Sequence, residues 1–131
     1  MTDSRPEPAC PCGTGAPLAG CCGPLLDNRE QAGTAEQLMR SRYTAFALRH
    51  DDHLFRTWHP RTRPEDVHSD PGLRWTRLEV LDTRDGEPGD ETGVVEFRAH
   101  HDGNDGPGVL HERSRFARRA GRWVYLDGDL G

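Results

Sequence analysis

VLHERSRFARRAGRWVYLD, residues 109–127, holds two alternating runs separated by Ala120-Gly121. In the first, Val109–Arg119, alternate positions place Leu110, Glu112, Ser114 and Phe116 on one face. Successive strand side chains point to opposite faces, so a period of two predicts a half-buried strand, and the short break before Arg122–Asp127 predicts a hairpin. Upstream, the same alternation predicts strands over Trp75–Thr83 and Thr92–His101. The intervening stretches RDGEPGDE (84–91) and DGNDGPG (102–108) are rich in the glycine, aspartate and proline that turns need.

Before residue 75 the period is helical. TAEQLMRSRYTAFALRH (34–50) opens with Thr34 as an N-cap and Gln37 three residues on, and Ala35, Leu38, Met39, Arg42, Ala45 and Phe46 form one stripe. A second short helix is predicted from Asp51 or Asp52 through Leu54, Phe55 and Trp58, stopping at His59 because Pro60 disfavours helical geometry in the residue before it. Pro64-Glu65-Asp66 reads as the first turn of a third. Helices followed by a run of antiparallel strands is an α+β order. PLLDNREQAG (24–33) reads as a connector, giving two units, residues 1–27 with a disordered N-terminal tail and residues 28–131.

With 33% hydrophobic residues, 15 glycines and 10 prolines, the core is modest and loops are plentiful. The formal charge of −5 argues against a general nucleic-acid or membrane binder. No apolar run approaches the roughly 18 residues of a membrane span, and MTDSRPEPACPCG lacks a secretory apolar stretch, so a cytoplasmic location is expected.

All four cysteines fall in CPCGTGAPLAGCC, residues 10–22. A bridge between Cys21 and Cys22 would close a strained ring, and reduced thiols suit the expected compartment, so a metal site on Cys10, Cys12, Cys21 and Cys22 is preferred to disulfides. Four thiolates suit one structural zinc ion per chain, with iron the alternative. Gly13, Gly15 and Gly20 let the loop fold back, and adjacent cysteines can share one ion where the chain enters a helix.

This spacing resembles the SEC-C motif, a short zinc module, at all four ligand positions. Ala16 and Leu18 stand where the motif usually has a lysine and an aromatic residue, which alters the surface offered to a protein partner. AEQLMRSRYTAF (35–46), TWHP (57–60) and LHERSRFARRAGRWVYLDG (110–128) further resemble the YchJ family. That resemblance implies a zinc knuckle followed by a cystatin-like domain of the nuclear-transport-factor-two type. Its helices would pack on the concave side of a curved, mainly antiparallel four-stranded sheet, often around a cavity.

The residues expected around such a cavity are Arg42, Tyr43, Trp58, His59, His111 and Glu112. Arg42 on an apolar stripe needs a partner, and Glu112 is the natural one, as a structural lock or as part of a ligand site. His59 and His111 are either general bases or hydrogen-bonded structural residues. His100 and His101 are adjacent on a strand, so only one can face inward. Trp58, Trp75, Trp123 and Tyr125 are expected in the core. Arg113, Arg115, Arg118, Arg119 and Arg122, with no acid among them, form a candidate anion patch or a solvated edge hairpin. The leading functional expectation is a binding module for a small ligand in the cavity or a protein at the knuckle. The alternatives are an enzyme using Arg42, His111 and Glu112, or an RNA binder using the arginine hairpin.

Overall fold

The computed structural model describes residues 8–131; the expected disordered tail lies outside the described residues. Ala9 and Pro17 bridge to close the cysteine loop, a 3-10 turn spans Leu18–Gly20, and helix α1 (Gly23–Leu26) follows Cys22 directly. Helices α2 (Ala35–Leu48) and α3 (Asp51–Arg56) precede strands β1 (Leu73–Asp85), β2 (Thr92–Gly103), β3 (Gly106–Arg119) and β4 (Arg122–Leu130). The strands form an antiparallel meander in the order β1-β2-β3-β4. The expected α+β class and four-stranded sheet are present. No helix among the described residues is long and apolar enough to cross a membrane.

Register determines which side chains share a face. Val80, Phe97 and Glu112 are aligned across the sheet, as are Leu78, Ala99 and Leu110, so the inward residues of β1, β2 and β3 share one face, while Leu130, next in the first row, is exposed at the end of β4. Pairing shifts between Trp75 and Arg77, between Val80 and Asp82, and between Arg115 and Phe116. Each bulge bends its strand and increases twist, which curves the sheet around the helix.

Helix α2 begins as predicted. The Thr34 hydroxyl accepts from the Gln37 amide at 3.0 Å, and the Gln37 side chain accepts from the Gly33 amide at 2.6 Å. The stripe is buried except for the half-buried Phe46, and so are Ser41, Tyr43 and Thr44, because the helix is covered on three sides. The sheet takes Leu38 and Met39, the cysteine loop reaches Thr44, and α3 reaches Ser41.

Three local expectations are corrected. Helix α3 is capped by His50, with Asp51 and Asp52 in its first turn, and it stops at Arg56. The chain leaves the helix there because the Tyr125 amide donates to Thr57 O at 2.7 Å and the His59 amide to Tyr125 O at 2.8 Å, tying Trp58 to β4. Pro64-Glu65-Asp66 forms no helix: a first turn is costly unless it propagates, and Asp70-Pro71-Gly72 soon interrupts it. Gly13 and Gly15 adopt positive φ as expected, whereas Gly20 does not. The close approach in this loop is at Gly23, where a Cβ would meet Leu18 O at 2.8 Å.

Candidate metal centre and adjoining cavity

The cysteine loop turns back so that the four sulfurs lie within 4.8 Å of one another. Cys10, Cys12 and Cys22 are buried and Cys21 is half-buried. A tetrahedral ion with bonds of about 2.3 Å separates its ligands by about 3.8 Å. Cys12 Sγ and Cys21 Sγ are 3.6 Å apart, so the donor set fits a single small ion. Cys22 is the residue from which α1 starts, its carbonyl accepting from the amides of Leu25 and Leu26. That sharp entry lets two adjacent cysteines face one centre.

The four sulfurs lie close enough to set one another's protonation. The contact with Cys22 holds the Cys12 thiol far below its ordinary range, and the Thr14 amide helps. The same contact, with burial, pushes Cys22 up, and burial raises Cys21. The close sulfurs thus favour a thiolate at Cys12 beside neutral thiols at Cys21 and Cys22. Thr14 Oγ1 lies 3.2 Å from Cys21 Sγ, and Thr44 Oγ1 of α2 lies 3.6 Å from Cys10 Sγ. Arg40 donates to Cys12 O at 2.6 Å, fastening the loop to α2.

The far flank of α2 walls a cavity of about 270 Å³. The helix supplies Met39, Arg42, Tyr43 and Phe46; the sheet supplies Trp75, Phe97, Ala99, Leu110, Glu112, Ser114, Phe116 and Tyr125, and Trp58 closes one side. Trp58, Trp75 and Tyr125, expected as core, are thus only half-buried cavity walls, while Trp123 is in the core. Met39 and Phe46, Trp75 and Phe97 were not singled out as cavity residues, because only the curvature of the sheet brings them together.

Arg42 and Glu112 both face the cavity, yet they do not form an ion pair. Arg42 Nη1 donates to Leu54 O at 3.1 Å and to Thr57 Oγ1 at 2.7 Å, and its guanidinium lies 5.1 Å and 4.7 Å from the ring centres of Trp58 and Tyr125. Its partners are thus one carbonyl of α3, the hydroxyl of the residue that follows the helix, and two aromatic faces. Burial lowers its pKa to about 10, against the opposing pull of Tyr125 and Glu112. Glu112 accepts from Ser114 and, at 3.3 Å, from the Tyr125 hydroxyl, so Tyr125 stands between the two charges.

The two histidines expected at the cavity are elsewhere. His111 is on the outer face, its Nε2 2.7 Å from Glu96. The alternation that puts Glu112 inside puts His111 outside. His59 closes a turn after α3, its Nδ1 accepting from the Arg61 amide at 3.0 Å. The combination of Arg42, Glu112 and His111 as an acid–base centre is therefore not assembled. His101 faces inward against Trp75 at 5.2 Å, and His100 pairs with Glu79 at 2.6 Å outside.

The expected arginine patch is also dispersed. Arg113 pairs with Glu96 and Asp82, Arg115 with Asp127 and Asp129, and Arg118 donates to the carbonyls of Asp90, Pro88 and Gly121. The acids come from neighbouring strands and the carbonyls from the turns, which a linear count of Arg113–Arg122 does not register.

A four-sulfur knuckle seated on the helix of a curved antiparallel sheet defines a SEC-C-bearing protein of the nuclear-transport-factor-two-like class. Residues 34–128 match the family described as YchJ, middle NTF2-like domain. A UPF0225 protein of Streptomyces coelicolor is 53% identical over 95% of this chain and 98% of its own length, and one of Deinococcus radiodurans is 46% identical over 93% and 89%. The chain belongs to this YchJ/UPF0225 family. The solution structure of a SEC-C motif containing protein from Rhodopseudomonas palustris superposes with a TM-score of 0.81 at 33% identity, covering 93% of this chain and 98% of that one. A crystal structure of a SEC-C motif containing protein from Psychrobacter arcticus gives 0.72 at 27% identity, covering 94% and 82%.

Proposed function

We propose that the protein is a cytoplasmic, zinc-locked binding module. One structural zinc ion on Cys10, Cys12, Cys21 and Cys22 fixes the helix that walls a pocket for a small, mainly apolar ligand. The observation that carries this reading is the double use of α2. Cys10, Cys12 and Cys22 pack in one apolar cluster with Leu38, Met39 and Tyr43, while Met39, Arg42, Tyr43 and Phe46 line the cavity. Four thiolates fill a tetrahedral zinc and leave no position for a reacting water, so its role is structural. The cavity volume of about 270 Å³ exceeds the roughly 150 Å³ that accommodates benzene in an engineered apolar cavity.

Elemental analysis of protein purified without added metal should give one zinc per chain; absence of metal, or a full complement of iron, refutes the zinc assignment. Indole titrated against the metal-loaded chain should shift the NMR signals of Ala99, Leu110 and Phe116, and Ala99→Phe should block it. Indole shifts confined to the exposed surface would refute the ligand pocket while leaving the metal assignment intact.

A further inference from the structure

A second recess lies on the other side of Trp58, between the connector after α1, the segment after α3 and the β3–β4 turn. Its volume is about 320 Å³, and Arg56, Arg63, Arg119, Arg122, Asn28 and Gln31 line it. No acidic side chain does, although the chain carries 22 acids against 17 basic residues. Four guanidiniums in one concavity repel one another unless something negative sits among them.

Two are fixed from behind. Arg56 donates to Leu26 O at 3.0 Å and pairs with Asp52 at 2.8 Å, and Arg63 lies 3.8 Å from the Phe55 ring centre and donates to Phe55 O at 3.3 Å. The other two face each other. Arg119 and Arg122 are register partners at the end of the β3–β4 ladder, and neither makes an ion pair or side-chain hydrogen bond among the described residues. Like charges directly opposite across a ladder destabilise a hairpin. The indole N–H of Trp58, which walls both this recess and the cavity, is buried without an acceptor.

We infer that this recess binds a small polyvalent oxyanion of the phosphate class, held by Arg119 and Arg122 at its mouth and by Arg56 and Arg63 beneath. Guanidiniums match tetrahedral oxyanions through paired N–H donors, and the asparagine and glutamine amides add neutral donors at the rim. The recess has room for about ten waters, which suits a small phosphorylated molecule. An extended polyanion is disfavoured by the paired, neutralised state of Arg113 and Arg115 and by the net charge of −5. The recess shares only Trp58 with the apolar cavity, and no cysteine lines it.

The probe is inorganic pyrophosphate, titrated into the full metal-loaded chain at constant ionic strength and followed by tryptophan fluorescence and thermal shift. Saturable binding and a raised Tm are expected. Arg119→Ala with Arg122→Ala should weaken binding by about tenfold or more while leaving the unliganded Tm unchanged or higher, since the opposed charges are gone. Arg98→Ala, on the outer face of β2, should change nothing. The inference is overturned by no saturation at about 10 mM, or by equal weakening from Arg98→Ala, which would indicate diffuse electrostatics. It is overturned too if a single-stranded RNA oligonucleotide binds through Arg119 and Arg122 in preference to pyrophosphate.

Discussion

Arg42 shows how far a single residue can be read. Its place on an apolar stripe marks it as a buried charge that needs partners, and it is 6% exposed. The partners themselves were not legible, because Leu54 O and Thr57 become acceptors only where α3 ends early, and that end is set by β4. The missing ion pair changes the expected energetics. Arg42→Met leaves two acceptors without a donor and should cost about 2–4 kcal/mol in urea denaturation. Glu112→Gln should cost less, and the double-mutant coupling should stay below about 1 kcal/mol; a coupling of about 3 kcal/mol or more would mean a direct pair. Arg42→Lys should not restore stability, since an ammonium cannot use two ring faces and a carbonyl together. His53 carried no sequence signal beyond its place in the second helix. It is buried, with Nε2 2.9 Å from Ser41 Oγ, whose own proton goes to Leu38 O. The ring therefore carries its hydrogen on Nε2, and Nδ1 is bare and unpartnered. Burial first, then the nearby charges of Arg56 and Arg42, lowers its pKa to about 4. Because the unfolded chain takes up this proton near pH 6.5 and the folded chain does not, stability should fall as pH drops from about 6.5 to 4, by on the order of 3 kcal/mol. Denaturation of wild type and His53→Gln across that range checks it: the variant should lose most of the slope, and an unchanged slope would show that other groups cause it.

At the scale of elements, type and order were legible and docking was not. The strand period is visible because each strand has one inward face, and the Thr34 capping box because its two hydrogen bonds, Gln37 to Thr34 and Gly33 to Gln37, span only three and four residues. Strand ends ran further than the alternation suggested, since pairing continues through turn-like residues: Leu73 pairs with Gly103 and Gly103 with Gly106. Gly86 reads as a turn former and Gly93 as a strand residue, yet both serve packing. A Cβ on Gly93 would lie 2.5 Å from Gly86 Cα and 3.0 Å from Ala35 Cβ, and the Ala35 amide donates to Gly86 O at 2.9 Å. The hairpin thus receives the first turn of α2 where no side chain fits. Gly93→Ala should cost about 2 kcal/mol or more through overpacking, a larger loss than the roughly 1 kcal/mol expected from Thr34→Ala at the cap itself. Thermal denaturation of the two variants tests that order; a neutral Gly93→Ala would show that the hairpin yields.

In the whole molecule, the cysteine motif was legible as one cluster, because its spacing and glycines let the loop return four sulfurs to a single point. Its relation to the rest was not legible, since the connector at 24–33 marks a break in composition but not in packing. Cys10, Cys12 and Cys22 lie in the same apolar cluster as Leu38, Tyr43, Phe97, Phe116 and Trp123. If zinc holds these sulfurs together, removing it leaves up to four thiols competing for charge in the core and frees the loop that Arg40 clamps to α2. Part of the fold survives, because the strand ladders and the α2–α3 contacts do not include the ion. A loss of about 3 kcal/mol corresponds to a fall in Tm of roughly 10 °C for a chain of this size. Chelation should therefore lower Tm by about that amount in one cooperative transition, with hydrogen-exchange protection falling in α2 as well as in the loop. Cys12→Ser should reproduce the shift and make the chain insensitive to chelator. Protection lost only in residues 8–27, with the transition of the sheet unmoved, would instead make the knuckle an appendage that could leave the cavity helix in place without its metal.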